Sequence, residues 1–222
     1  MPAYKLTYFN VYGLGEGARL LFNYAGVPFE DVRIDHQHWP EIKQRMSMFL
    51  WLISDYCIFL EMPFGQVPVL EVDGHIIAQS AAIYRYLGHQ FNLAPKCPIE
   101  DAMVDAVYDA HKDFAAENKE FFMVAAGFAK GDKDKLMKEV CLPARDKYFG
   151  YLKKVLAASD GFHLIGKKLS WADIVIAGNL KSLEGLAPPL FDGFPEIKKF
   201  VQQVHELPQL QKYLKERPVL PF

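Results

Sequence analysis

An α/β domain followed by an all-α domain is the fold class this sequence predicts, and three observations predict it. The first 92 residues alternate strand-like and helix-like stretches and include Asp73-Gly74, a dipeptide that favours a two-residue hairpin. A break follows at Leu93-Ala94-Pro95-Lys96-Cys97-Pro98, where two prolines in a short polar stretch mark an inter-domain linker. Beyond it every apolar pattern has the helical period. The expected domains are 1–92 and 99–222.

The first domain opens with Tyr4-Lys5-Leu6-Thr7-Tyr8, alternating apolar and polar as a half-buried strand does. A glycine-rich connection, Asn10 to Gly17, leads into a helix from Glu16 to Tyr24 that Gly26-Val27-Pro28 stops. Phe29 to Ile34 reads as a second strand, and Asp35 to Lys43 as polar loop or short helix. Strands at Val67–Val72 and His75–Ala78 flank the hairpin, and a helix runs from Ser80 to Leu87 with Gly88 as its end. The order is β-α-β, then β-β-α. In the second domain Ile99–Gly127 reads as one long helix and Asp132–Ala158 as another that Pro143 bends or interrupts. Ser170–Glu184, Pro195–His205 and Pro208–Glu216 complete a bundle. Ser170 and Asp173 form a capping-box pattern, a structural device rather than a catalytic pair.

Composition narrows the function. A net charge of −2 gives no basic footprint for nucleic acid and no polybasic stretch for a membrane. The cysteines, Cys57, Cys97 and Cys141, are scattered with no metal spacing, which argues against a disulfide scaffold and for a reducing compartment. No signal peptide is visible, so a cytoplasmic protein is expected.

Four motifs could carry chemistry. Gly13-Leu14-Gly15-Glu16-Gly17-Ala18 matches G-x-G-x-x-A, with Asp35 about 20 residues on, as a dinucleotide site would have. A doubly wound domain should then continue with parallel strands, yet the next two form a hairpin, so a turn feeding a helix is preferred. A nicotinamide-dependent oxidoreductase stays as the runner-up from another class of chemistry. Asp35-His36-Gln37-His38 lacks the further ligands that a metal would need, and no metal is expected. Tyr8 ends the first strand beside the glycine turn, where it can face a crevice or be an ordinary half-buried tyrosine. Gln66-Val67-Pro68 with Gln79-Ser80 is stronger. X-Pro is where cis bonds occur, and a helix opening at Ser80 presents unpaired N–H groups that favour a carboxylate.

The opening YKLTYFNVYGLGEGARL, the block PFGQVPVLEVDG with AQSAAIYRYLG, and the later KLSWADIVIA together resemble cytosolic glutathione transferases. The sigma class is closest, in its nematode-type members, and the resemblance covers nearly the whole chain. It implies a thioredoxin-like first domain, a C-terminal helical bundle, a homodimer, and glutathione as co-substrate with no tightly bound cofactor. Carried over by position, Tyr8 corresponds to the catalytic tyrosine. Val67, before Pro68, pairs with the cysteinyl unit, and Gln79 and Ser80 hold the γ-glutamyl carboxylate. Trp39 and Lys43 meet the glycyl carboxylate, with Gly65 and Gln66 completing that side. Asp113 corresponds to an acid reaching the γ-glutamyl amine from the partner subunit. Phe9, Tyr12, Leu14 and Tyr108 border the pocket for an apolar electrophile. The implied activity is glutathione conjugation in detoxification. Isomerisation of a prostaglandin endoperoxide, peroxide reduction, and a non-catalytic carrier or crystallin-like role are the alternatives.

Two departures stand out. Where several sigma members have arginines, this chain has Tyr12 and Leu14, so the electrophile pocket is less cationic. The run Ser47 to Met62, SMFLWLISDYCIFLEM, is an apolar insertion between HWPEIK and PFGQ. It falls short of the ~20 residues that span a bilayer, and as a helix it would be oily on nearly every side. A docking loop, an added helix, or sequence foreign to the mature protein (a retained intron, for example) are the readings. The last is preferred because the run clashes in composition with both flanks.

Overall fold

A four-stranded sheet organises the N-terminal half. β1 (Tyr4–Phe9) pairs in parallel with β2 (Glu30–Ile34) on one side and antiparallel with β3 (Val69–Val72) on the other. β4 (His75–Ala78) closes the order β2-β1-β3-β4 through the Asp73-Gly74 turn. The computed structural model describes residues 2–41 and 62–220. Lys43 and the insertion up to residue 61 lie outside the described residues.

The parallel β1–β2 pair needs a crossover, and α1 (Gly13–Ala25) supplies it. Its buried face includes Ala18, Leu20, Leu21 and Phe22, and Gly26 ends it in the left-handed region. The helix begins earlier than Glu16, so Gly13, Gly15 and Gly17 belong to its first turns. α2 (Ser80–Gln90) runs past Gly88, the expected stop. A Cβ on Gly88 would stand 2.4 Å from Trp171 Cδ1. That glycine therefore permits a close approach between the two halves instead of ending a helix.

The helical half differs from expectation at one joint. The single helix foreseen over 99–127 is α3 (Pro98–Glu117) and α4 (Lys119–Ala125), parted at Asn118. Asn118 is fully buried, and its side-chain amide donates to the Phe114 carbonyl at 2.8 Å alongside its own backbone N–H at 3.1 Å. Side-chain competition of this kind disturbs a helix ladder. Pro143 is accommodated where α5 (Lys133–Leu136) widens into a π-turn over Met137–Cys141 before α6 (Leu142–Ala158). α7 (Trp171–Leu186), α8 (Pro195–His205) and α9 (Pro208–Glu216) follow.

One apolar core runs through both halves, from Tyr4 and Leu6 of β1 through Trp171 to Leu210. The Trp171 N–H donates to the Leu93 carbonyl at 2.8 Å, tying the stretch after α2 to the start of α7. The central strand that bears Tyr8 thus shares its core with the helical half.

Candidate active site

Tyr8 belongs to the buried row of β1, with Tyr4 and Leu6, and its ring packs onto the first turn of α1. The glycines make that packing possible. A Cβ on Gly15 would come within 2.4 Å of Tyr8 Cδ1, and one on Gly13 within 2.7 Å of the Tyr8 hydroxyl. The G-x-G-x-x-A pattern therefore cradles a tyrosine, and Asp35 caps a short 3-10 turn by accepting from the Gln37 N–H at 3.0 Å. A ribose acid is not what Asp35 is used for here.

The Tyr8 hydroxyl accepts the Leu14 N–H at 3.1 Å. Leu14 is gripped from its other side too, because the buried Tyr84 hydroxyl donates to its carbonyl. Burial pushes the Tyr8 pKa upward, while the Leu14 N–H and the Arg19 guanidinium, 5.9 Å from the ring, act the other way. The net direction is upward, so the hydroxyl keeps its proton at neutral pH.

A small groove of about 50 Å³ opens beside this point, lined by Leu14, Phe64, Gln66, Val67, Pro68, Ala78, Gln79 and Ser80. The Val67–Pro68 peptide is cis. Gln79 sits at φ 72°, a conformation that non-glycine residues rarely take, directly before the N-terminus of α2. No side chain caps that helix end, so its first N–H groups are left without a side-chain acceptor beside the groove. Gln79 Nε2 donates to Gln66 Oε1 at 3.4 Å, joining the two walls. Gly65, in a turn whose N–H donates to the Met62 carbonyl, precedes the groove at φ 59°.

Other expected residues fall elsewhere. Phe9 meets Trp39 edge-on at 5.3 Å and stacks on His36 at 4.8 Å, and His36 in turn stacks on Phe128 at 4.9 Å. Trp39 therefore lies in an aromatic cluster with Phe9, and it is not among the residues that line the small groove. Tyr12 is covered by the C-terminal tail: its hydroxyl donates to the Pro218 carbonyl and accepts the Leu220 N–H. Tyr108 corrects an expectation. At 1 % exposure it packs edge-on against Tyr84 and Trp171, leaving no free surface to line an electrophile pocket. Asp113 borders a separate recess of about 300 Å³ between α3 and α6, with Glu117, Lys147 and Tyr151. One and two turns earlier, Asp109 and Asp105 are both paired with Arg85 of α2.

A tyrosine at a strand end, held by a backbone N–H beside a cis-proline groove and a free helix N-terminus, is the setting in which known proteins bear on this one. The domain description "Glutathione S-transferase, N-terminal domain" matches residues 4–89, and "Glutathione S-transferase, C-terminal domain" matches 106–217. The chain belongs to the glutathione S-transferase family. Glutathione S-transferase 1 of Ascaris suum is 50% identical over the full length of both chains. The crystal structure of a monomeric glutathione S-transferase from Necator americanus is 43% identical, with a TM-score of 0.87 over 99% of this chain and 100% of that one. A Nu-class structure from Haemonchus contortus is 40% identical, with a TM-score of 0.82 over 100% of both chains.

Sequence reading missed part of this transferase's site. Phe64 was visible in the PFGQ motif but received no role, and it is 64% exposed on the groove wall. Glu16 and Arg19 look like surface charges of an amphipathic helix, yet they are 1% and 0% exposed. Arg19 reaches Asp31, the Val11 carbonyl and the Phe9 carbonyl. Glu16 accepts from Tyr213 and Arg217, near the other end of the transferase chain. No local sequence signal announces a partner at that separation.

Proposed function

We propose that this chain transfers the glutathione thiolate to apolar electrophiles, with Tyr8 as the catalytic hydroxyl. One observation carries the reading: Leu14 gives its N–H to the Tyr8 oxygen and also lines the groove formed by Gln66, Val67, Gln79 and Ser80. With an acceptor site of Tyr8 so occupied, its own O–H remains available to donate. A free thiol has a pKa of about 8.5 and is only a few per cent thiolate at neutral pH. A hydroxyl donated to the sulfur favours the anion, and fixing the sulfur beside the electrophile supplies proximity.

In this reading Gln79, Ser80 and the N-terminus of α2 receive the γ-glutamyl carboxylate, and the Val67 backbone before Pro68 pairs with the cysteinyl unit. Gly65, Gln66, Trp39 and Lys43 serve the glycyl end. Phe9, Tyr12 and Leu14 border the electrophile. A homodimer is proposed, supported by the exposed Ile99, Met103 and Tyr151 on α3 and α6. Asp113 of the second copy is then assigned to the γ-glutamyl amine, with Asp109 one turn away as the acid to compare with it. The class is proposed as sigma on the three motifs of the sequence. Cytoplasmic location is supported by the scattered cysteines, and among the described residues no helix is long and apolar enough to cross a membrane.

Tyr8→Phe tests the reading. We expect conjugation of chlorodinitrobenzene to fall at least about tenfold while retention on immobilised glutathione persists. Unchanged turnover would remove Tyr8 from the mechanism, and lost retention by the unaltered protein would make the groove something other than a glutathione site.

A further inference from the structure

The first turn of α1 has unusual fastenings. It contains Gly13 at φ 38° and Gly15, so its backbone has little stiffness of its own. The residues on either side of Leu14 are instead held by the far end of the chain. Glu16, on the C-terminal side, is buried and accepts the Tyr213 hydroxyl at 3.1 and 3.0 Å on its two oxygens. Arg217 adds a salt bridge to the same carboxylate, with Arg19 3.6 Å away on the other oxygen. Tyr12, on the N-terminal side, carries the Arg217 guanidinium 4.4 Å above its ring. Its hydroxyl binds the Pro218 carbonyl at 3.0 Å and the Leu220 N–H at 3.2 Å. The Glu16 N–H closes the turn onto the Tyr12 carbonyl at 2.9 Å.

We infer that Arg217 is a positioning residue for the transfer step: by holding Glu16 and covering Tyr12, it keeps the Leu14 N–H aimed at the Tyr8 hydroxyl. This rests on the assignment of Tyr8 above. Charge acts in the same direction. Arg19 is shared with Asp31, so removing Arg217 leaves the Glu16 carboxylate under-compensated within the same first turn, where it opposes a developing thiolate. A turn that drifts also weakens the hydrogen bond that fixes the Tyr8 oxygen. Both effects reduce the thiolate fraction without touching the groove that binds the peptide.

The test uses Arg217→Gln, Arg217→Lys and Tyr213→Phe in the full chain, with the pH profile of kcat/KM and the ultraviolet absorbance of bound thiolate as readouts. Arg217→Gln is expected to raise the apparent pKa of the profile by about one unit and lower kcat at neutral pH about fivefold, with KM for glutathione within about twofold. Arg217→Lys, which keeps the charge, is expected to restore most of the profile. Tyr213→Phe, a milder loss that preserves the fold if Arg217→Gln does not, is expected to shift it less in the same direction. An unaltered profile in the folded variants, even with a lowered Tm, overturns the positioning role and leaves only a structural one. Because Tyr8→Phe is measured beside them, a failure of the Tyr8 assignment is distinguishable: turnover would then be insensitive to Tyr8 itself.

Discussion

A methyl group on residue 15 would sit 2.4 Å from Tyr8 Cδ1 and 2.9 Å from its Cβ, closer than side chains pack. The neighbour is the rigid base of the ring, so the clash cannot be relieved by swinging a side-chain end. Alanine in a helix gains about 1 kcal/mol over glycine, and overpacking costs roughly 1–3 kcal/mol. The second effect wins here. Gly15→Ala is expected to lower kcat/KM about tenfold and to lower Tm by a few degrees, by kinetics and calorimetry. A fully active, more stable variant would mean that Tyr8 is not seated as described. This residue shows where local pattern misleads. The glycine spacing imitates a phosphate-binding loop, and only the tertiary position of Tyr8 reveals what the missing side chains make room for.

Among the elements, α7 has the best-defined start. Ser170 Oγ accepts the Asp173 N–H, and Asp173 accepts the Ser170 N–H at 2.7 Å, its hydroxyl at 2.6 Å and the Leu164 N–H at 2.7 Å. All this is buried, with Asp173 at 0% exposure. Asp173→Ala leaves several buried donors unpaired, at roughly 1–3 kcal/mol for each. A loss of at least about 3 kcal/mol is expected, which lowers Tm by roughly 6–12 °C for a chain of this size. A shift under a degree or two would contradict it. This capping box was legible because its signal lies within four adjacent residues. The hairpin at Asp73-Gly74 and the strand alternation of β1 were legible for the same reason. The break at Asn118 and the run of α2 through Gly88 were not. They depend on the burial of the Asn118 amide and on Trp171, and neither the burial nor the distant indole is announced by the neighbouring residues.

Acid stability is a property of the whole molecule. His111 is buried between α3, α6 and α7, with Nδ1 3.2 Å from the Tyr148 hydroxyl and Nε2 3.3 Å from the Asn179 amide. Burial lowers its pKa from 6.5 to about 4, and burial likewise lowers that of His205 to about 4. An unfolded chain takes up these protons below about pH 6.5 while the folded one refuses them. The stability is therefore intact above pH 6.5 and drains as pH falls toward 4, by about 3 kcal/mol for a fully buried histidine such as His111. Tm should drop across that window, and His111→Gln should flatten part of the slope. A pH-independent Tm from 7 to 4.5 would refute it. At this scale the α/β and helical halves were readable from period, and the short contiguous motifs PFGQVP and AQS supply most of the residues that line the groove. Tyr108, Glu16 and Arg217 were not, because their environments are assembled from residues on different elements.

The hold of the last helix on the first has a consequence for how the protein is made. The α1 turn emerges from the ribosome early, but Glu16 obtains Tyr213 only after a further 197 residues have been synthesised, and Arg217 later still. Until then a carboxylate destined for the interior has only Arg19 to neutralise it. The N-terminal sheet can form on the nascent chain, yet the turn that packs on Tyr8 is fastened much later. A chain cut before Tyr213 would keep most of the scaffold but lose both of these fastenings of the turn that packs on Tyr8.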